Sequence, residues 1–252
     1  MLSKNDIKNI KSLEQKKFRM EKGLFIAEGH KLVGELLGKF ECVLAAATEN
    51  WIQNQHKIPA RRIETVTPDE LKRASLMQAP QDVLAVFRIP GNGTSIETAA
   101  KSGLVLALDD VQDPGNLGTI VRIADWFGIK QIFCSKGTVD IYNPKAIQAT
   151  MGAIARVSVS YIDLKGRLEE ISQKVPVYGT FLEGDIIYDT QLSGNGVIIM
   201  GNEGNGISRD IARTVNHKLF IPNWPQGAVT SESLNVAVAT AVVCSEFRRR
   251  NR

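Results

Sequence analysis

The sequence predicts an α/β protein built on a mostly parallel sheet covered by helices. Three observations carry that prediction. Short apolar runs alternate with segments of helical spacing, most clearly after residue 103, which is the pattern of βα units. Leu104–Leu108 is apolar at every position, as expected for a strand buried on both faces. Three segments then pair an apolar run, or the tail of one, with Gly, Asn, Pro and a few polar residues: Asn116–Arg122 (NLGTIVR), Val197–Gly206 (VIIMGNEGNG) and Leu219–Ala239 (LFIPNWPQGAVTSESLNVAVA). Open α/β sheets bind ligands in loops of this kind, beyond the carboxyl ends of their strands.

The elements follow in order. Before a boundary at Ile89–Gly103 (IPGNGTSIETAAKSG), the spacing predicts strands at Leu24–Glu28, Cys42–Ala46, Arg62–Val66 and Leu84–Phe87, and helices at Asp6–Phe18, His30–Gly38 and Pro68–Ala74. These make a small α/β domain over residues 1–95, joined through a linker at 96–103 to a larger domain over 104–252. In the larger domain Leu104–Leu108 opens the sheet. A helix follows, with Leu117, Ile120, Val121, Ala124 and Phe127 near one face and Gly128 as its stop. Further strands are expected at Gln131–Cys134, Val157–Tyr161, Val175–Thr180, Val197–Met200 and Lys218–Ile221. Helices are expected at Asn143–Ala149, Leu164–Gln173, Ser208–Val215 and from Ser233 to Phe247.

Composition narrows the function. The 252 residues are 43% hydrophobic and 23% charged, enough for one large domain or two modest ones. No apolar run approaches the roughly 20 residues a bilayer span needs, and the N-terminus lacks the apolar core of a secretory signal. Cys42, Cys134 and Cys244 are far apart and odd in number, which suits free thiols in a reducing compartment. His30, His56 and His217 have no metal-ligand spacing. The expectation is a cytoplasmic protein without a metal. The net charge of +4 lies wholly in residues 1–102, which hold 16 Lys+Arg against 12 Asp+Glu. Lys4, Lys8, Lys11, Lys16, Lys17, Arg19 and Lys22 crowd its start. Such an arm suits a polyanion, and equally reads as a solvated helix face.

Each loop has a functional and a plainer reading. In Asp109–Arg122 (DDVQDPGNLGTIVR) a Pro-Gly turn leads into a helix starting near Asn116, where Asn is a natural cap. Arg122 lies off the apolar face, able to grip a phosphate or to pair with a surface acid. In GNEGNG the glycines allow close backbone approach around Glu203, but no GK[ST] ending or GxGxxG fingerprint is present. In the third segment Trp224, Pro225 and Gly227 precede Ser231, Ser233 and Asn235 at the head of the last helix. The Ser and Asn residues are also potential caps, Leu234, Val236 and Val238 read as core, and Trp224 suits either base stacking or packing.

Taken in order, NLGTIVR, IIMGNEGNGIS and LFIPNWPQGAVTSESLNVAVA resemble the three motifs of the SpoU/TrmH family of RNA ribose 2′-O-methyltransferases. FIAEGHKLVGELL (Phe25–Leu37) resembles the RNA-substrate-binding domain found in many members. The resemblance implies a catalytic domain with a C-terminal trefoil knot, which general topology rules disfavour. It implies a ribosomal-protein-like α/β domain before it, a homodimer, and S-adenosylmethionine (SAM) as co-substrate. It gives Asn116, Arg122, Glu203, Ser233 and Asn235 active-site roles, and gives backbone groups near Thr180, Gly201, Ile221 and Leu234 the cofactor. The expected reaction is methyl transfer to a ribose 2′-OH of structured rRNA or tRNA, with RNA bound through the basic N-terminal domain. A non-catalytic RNA binder of the same fold, a base methyltransferase and a small-molecule nucleotide enzyme are the alternatives. Two positions depart from the motif: Asn223 stands where Met often follows Ile-Pro, and Ala237 where Ser often follows SLNV.

Overall fold

The structure is a computed structural model that describes residues 1–91, 93–225, 228–229 and 231–250. Gly227 lies outside the described residues. The chain forms two compact units, Met1–Gly91 with Asp140–Ala155, and Asn92–Val139 with Arg156–Arg252.

The first unit is built on a four-stranded sheet. Its chain runs α1 (Lys4–Ser12), α2 (Lys16–Lys22), β1 (Leu24–Glu28), α3 (His30–Leu36), β2 (Cys42–Ala47), α4 (Glu49–Gln53), β3 (Ile63–Thr65), α5 (Pro68–Ala74) and β4 (Val83–Arg88). The strand order is β1-β4-β2-β3, with β4 antiparallel to both neighbours and β3 parallel to β2. One core cluster joins Ile10 and Leu13 to Ile26, Leu44, Leu71 and Leu84. The single helix expected at 6–18 is two helices. The first ends when the Leu13 N–H turns back to Ile10 and Lys11 carbonyls, and Gln15 starts the second in an extended conformation. Capping boxes at Ser3/Asp6 and Thr67/Glu70 fix the starts of α1 and α5.

The second unit holds a seven-stranded sheet. Its elements are α6 (Ile96–Ser102), β5 (Leu104–Leu108), α7 (Pro114–Trp126), β6 (Gln131–Cys134), β7 (Ser158–Tyr161), α9 (Leu164–Ile171), β8 (Val177–Phe181), β9 (Asp185–Ile186), β10 (Gly196–Met200), α10 (Arg209–Ala212), β11 (His217–Phe220) and α11 (Val236–Arg250). Between β6 and β7, α8 (Pro144–Thr150) groups with the first unit. All pairings in this sheet are parallel, in the order β7-β6-β5-β10-β8-β11-β9. Every residue of β5 and β10 is buried, which explains their unbroken apolar sequence. Segment 96–103, expected as a linker, is mostly α6: Ser95 caps it, and Ile96, Ala99 and Ala100 bury one stripe beside β5. That short stripe of small residues gave too weak a period to stand out.

A correction concerns the basic arm. Arg19 is only 2% exposed and belongs to the interior of the first unit. Its Nε and Nη2 donate to Asp140 Oδ2 at 2.9 and 2.6 Å, and its Nη1 donates to the carbonyls of Leu13 and Glu14. The guanidinium therefore ties the α1–α2 turn to segment 140–155, with its charge met by a buried carboxylate.

Candidate active site

The sheet order gathers the three sequence loops. Strands β5, β10, β8 and β11 are parallel neighbours, so their carboxyl ends share one edge of the sheet. The order reverses between β5 and β10: β6 and β7 extend to one side, β8, β11 and β9 to the other. Such a switch point leaves a crevice at the strand ends. The Asp109 N–H continues the ladder onto the Met200 carbonyl at 2.9 Å, so the first and second loops leave the sheet side by side.

A chain of hydrogen bonds joins all three loops. Asp113, not Asn116, caps α7, its Oδ1 accepting the Asn116 backbone N–H at 2.7 Å. This frees the Asn116 side chain, whose Nδ2 donates to Glu203 Oε1 at 2.9 Å. Asn116 Oδ1 in turn accepts from Asn235 Nδ2 at 3.0 Å. Asn235 Oδ1 accepts the backbone N–H groups of Ala237 and Val238 and so caps α11. The polarity of both amides is determined. A carboxylate only accepts, and the open start of a helix only donates, so each Asn is held in one orientation between them.

The loops are braced by residues the sequence reading passed over. Glu203 also accepts from the backbone N–H groups of Gln112 and Asp113 at 3.3 and 3.2 Å. Asn202 Nδ2 donates to the Asp110 carbonyl at 2.7 Å, and its Oδ1 accepts from Gly204 and Asn205 N–H. Asp110 has φ 61°, a left-handed conformation uncommon outside glycine, held by this bond and by its own N–H to Ser135 Oγ. Asp109 Oδ2 accepts the Ser208 N–H at 2.8 Å. Gly201 is pressed against backbone: a Cβ there would lie 2.2 Å from the Gly206 carbonyl carbon and 2.3 Å from the Ile207 nitrogen. The signal for these roles was present as Asn and Asp at turns, residues that bond nearby backbone. Their distant partners were not.

The remaining expected residues divide. Thr180 lies near the end of β8, where Oγ1 donates to the Ile199 carbonyl at 3.4 Å, while Gly201 and Ile221 immediately follow β10 and β11. All three thus sit at the same sheet edge. Arg122 is exposed on α7 and has neither an acidic partner nor a bond to Glu203 among the described residues. Ser233 is exposed and outside the hydrogen-bonded chain. Leu234 and Val238, expected in the core, are 50% and 51% exposed: Leu234 precedes α11, which begins at Val236, and Val238 lies on the outer face of that helix. Trp224 is 92% exposed rather than packed.

Burial pushes the Glu203 carboxyl pKa up, but the bonds from Asn116 and the loop backbone outweigh it and hold the group below the ordinary glutamate value. Glu203 is therefore an anion at neutral pH, fitted to fix Asn116. Among the described residues, no group of three or more His, Cys, Asp or Glu side chains is arranged to hold a metal ion. No described helix is long and apolar enough to cross a membrane.

Comparison with known proteins meets this geometry. Residues 103–245 match the SpoU rRNA Methylase family, and residues 4–85 match the MRM3-like substrate binding domain. The chain is 32% identical over 250 residues to the 23S rRNA (guanosine(2553)-2'-O)-methyltransferase RlmP of Bacillus subtilis, covering 96% of this chain and 95% of that one. A solved TrmH-family structure from Porphyromonas gingivalis superposes with a TM-score of 0.90 at 40% identity, covering 99% of both chains. An AdoMet-bound rRNA methyltransferase from Sinorhizobium meliloti gives 0.82 at 27% identity, covering 99% of this chain and 96% of that one. Spanned over more than half its length by that family's profile, and with its three motifs meeting at one sheet edge, the chain belongs to the SpoU rRNA methylase family.

Proposed function

We propose that this protein transfers a methyl group from SAM to a ribose 2′-OH of structured RNA, ribosomal or transfer. The observation that carries this is the Glu203–Asn116–Asn235 chain, which unites the three motifs of a family member at the switch point of its sheet. Relatives support the substrates: the Bacillus subtilis protein is named for ribose methylation of 23S rRNA, and the Sinorhizobium meliloti structure contains AdoMet.

The backbone around Thr180, Gly201, Ile221 and Leu234 offers donors and acceptors to the co-substrate beside the sheet edge. SAM supplies an electrophilic methyl on a sulfonium that leaves as a neutral thioether. The 2′-oxygen forms the new C–O bond as the S–CH3 bond breaks, and the hydroxyl proton passes to a neighbouring phosphate oxygen or water. In-line placement of the oxygen is the main requirement. Asn116, fixed by Glu203, presents its amide to the ribose, and Ser233 and Asn235 hold the nucleotide at the head of α11. The Arg122 guanidinium offers a fork of N–H donors and no acceptor, so it is not the base. Its role is to hold the adjacent phosphate and stabilise charge developing on the oxygen. No metal is required by this reaction.

The active assembly is a homodimer in this reading, with the catalytic chain knotted as in the family. Exposed apolar groups on two packed helices support the dimer: Trp126 on α7 is 86% exposed, and Leu234 and Val238 flank the start of α11. Trp126 lies one turn beyond Arg122 on the same helix face, so an interface covering Trp126 brings Arg122 to its border. Residues 1–95 select RNA, residues 104–252 carry the chemistry, and the setting is the cytoplasm. The test is Arg122→Ala, assayed with radiolabelled SAM and bulk RNA from a strain lacking the gene. The expected outcome is lost transfer with SAM affinity retained. Near-normal turnover would remove Arg122 from the mechanism, and absence of SAM binding by the wild-type chain would favour a pure RNA binder.

A further inference from the structure

The first unit separates its cations into two classes. Arg19 is buried against Asp140, Lys22 donates to Asn9 and Ser12, Arg62 pairs with Asp6 and Glu64, and Arg61 and Arg88 pair with Glu41. These hold the domain together. Lys4, Lys8 and Lys11 differ. All three are exposed, and none meets an acid among the described residues. Their spacing puts them within one narrow arc of α1, along about 10 Å of its axis. The buried Ile10 faces the other way, into the core. Helix α1 packs against α5, whose Lys72 and Arg73 are likewise exposed and unpaired, while Leu71 and Ala74 share the α1 core. The one acid of α1, Asp6, is already met by Arg62, so the charge of its three lysines stands, whereas Asp69 and Glu70 on α5 offset part of that of Lys72 and Arg73 and leave the α1 ridge as the main cationic surface.

Resting on the RNA-methyltransferase reading, we propose that the α1–α5 layer is the RNA-backbone contact of the N-terminal domain, with Lys4, Lys8, Lys11, Lys72 and Arg73 each taking a phosphate. The chemistry is that of a phosphodiester backbone read without base contacts. Lysines on one ridge act as point charges, and binding by release of condensed counterions needs only that they be exposed and uncompensated. The exposed arc of α1 carries Lys and Asn but no apolar side chain of the kind that would enter a lipid surface.

The test compares Lys4→Gln/Lys8→Gln/Lys11→Gln with a control triple, Lys39→Gln/Lys57→Gln/Lys130→Gln, which removes the same charge from exposed sites elsewhere. Both retain the core, as checked by thermal unfolding. The probe is deproteinised bulk ribosomal RNA, titrated across salt concentrations, with methyl transfer measured in parallel. The α1 triple is expected to lower the slope of log affinity against log salt by about 2 to 3 and to raise KM for RNA by roughly tenfold or more, with kcat kept. The control is expected to change little, and adding Lys72→Gln/Arg73→Gln to the α1 triple should lower the slope further. If wild-type protein binds and methylates RNA and the two triples behave alike, the assignment of this surface is overturned while the activity stands. If wild-type protein neither binds nor methylates RNA, the activity reading fails and the surface assignment with it. Lysine-dependent binding to anionic phosphatidylserine vesicles without RNA binding would also overturn it.

Discussion

Glu203 gives the sharpest prediction, because its geometry sets both size and sign. Glu203→Ala removes the acceptor of the 2.9 Å bond from Asn116 and of two longer bonds from the Gln112 and Asp113 backbone. A hydrogen bond to a charged group contributes about 1.5–3 kcal/mol. Glu203 is half-buried and two of its three bonds are long, so the lower end of that range applies to the Asn116 bond and less to the others. A loss of about 2–3 kcal/mol in transition-state stabilisation follows, roughly thirty- to over a hundredfold in kcat/KM. Asn116→Ala breaks the same link and also its bond to Asn235, and is expected to cost a similar amount. The double variant should then be little worse than either single one, with a coupling energy above about 1 kcal/mol. The assay is methyl transfer from tritiated SAM under kcat/KM conditions, with SAM affinity measured separately. Additivity within about 0.5 kcal/mol would refute the view that the two side chains work as one device.

Other predictions follow from particular contacts. Gly201→Ala forces a Cβ into the Gly206–Ile207 backbone, and should abolish SAM binding while the N-terminal unit keeps its unfolding transition, read by titration and calorimetry. Asp140→Ala leaves Arg19 buried without its carboxylate and is expected to cost about 3–5 kcal/mol in stability, measured by denaturant unfolding. The Glu203 pKa is lowered in the folded state, so its stabilising contribution is complete above the unfolded glutamate pKa and disappears as pH falls through the lower folded value. The second loop should therefore stay ordered below the usual carboxylate range, as followed by amide exchange, and Glu203→Gln should lose that acid transition. Burial pushes the Cys42 thiol up to about 11 and the Cys244 thiol up to about 12, and raises Cys134 further. None of the three should react with a thiol reagent before unfolding, as a native-state modification assay would show.

The parts legible in the sequence were those set by local chemistry. The apolar runs of β5 and β10 and the helical spacing around Ile120 and Ala124 each declare themselves within a few residues. What stayed hidden depended on distant partners. Nothing near Arg19 shows that Asp140 will meet it, so it was grouped with exposed lysines. Asn116 looked like a cap until Asp113 took that place, and nothing around Glu203 in the sequence shows that Asn116 will donate to it. Leu234 looked like core because the last helix was expected to start at Ser233, whereas Asn235 caps it and it starts at Val236. Asn116, Glu203 and Asn235 were singled out from sequence, but their pairing was not, nor were Asn202, Asp109 and Asp113 that brace the loops around them.

The central claim is that the Glu203–Asn116–Asn235 cleft directs a methyl group to a sugar oxygen. The most direct measurement is mass spectrometry of nucleosides from RNA treated with the protein and isotopically labelled SAM. The account predicts label on the ribose fragment of one nucleoside in ribosomal or transfer RNA, absent with Glu203→Ala/Asn116→Ala. Label on a nucleobase, or label undiminished by that double variant, would contradict it.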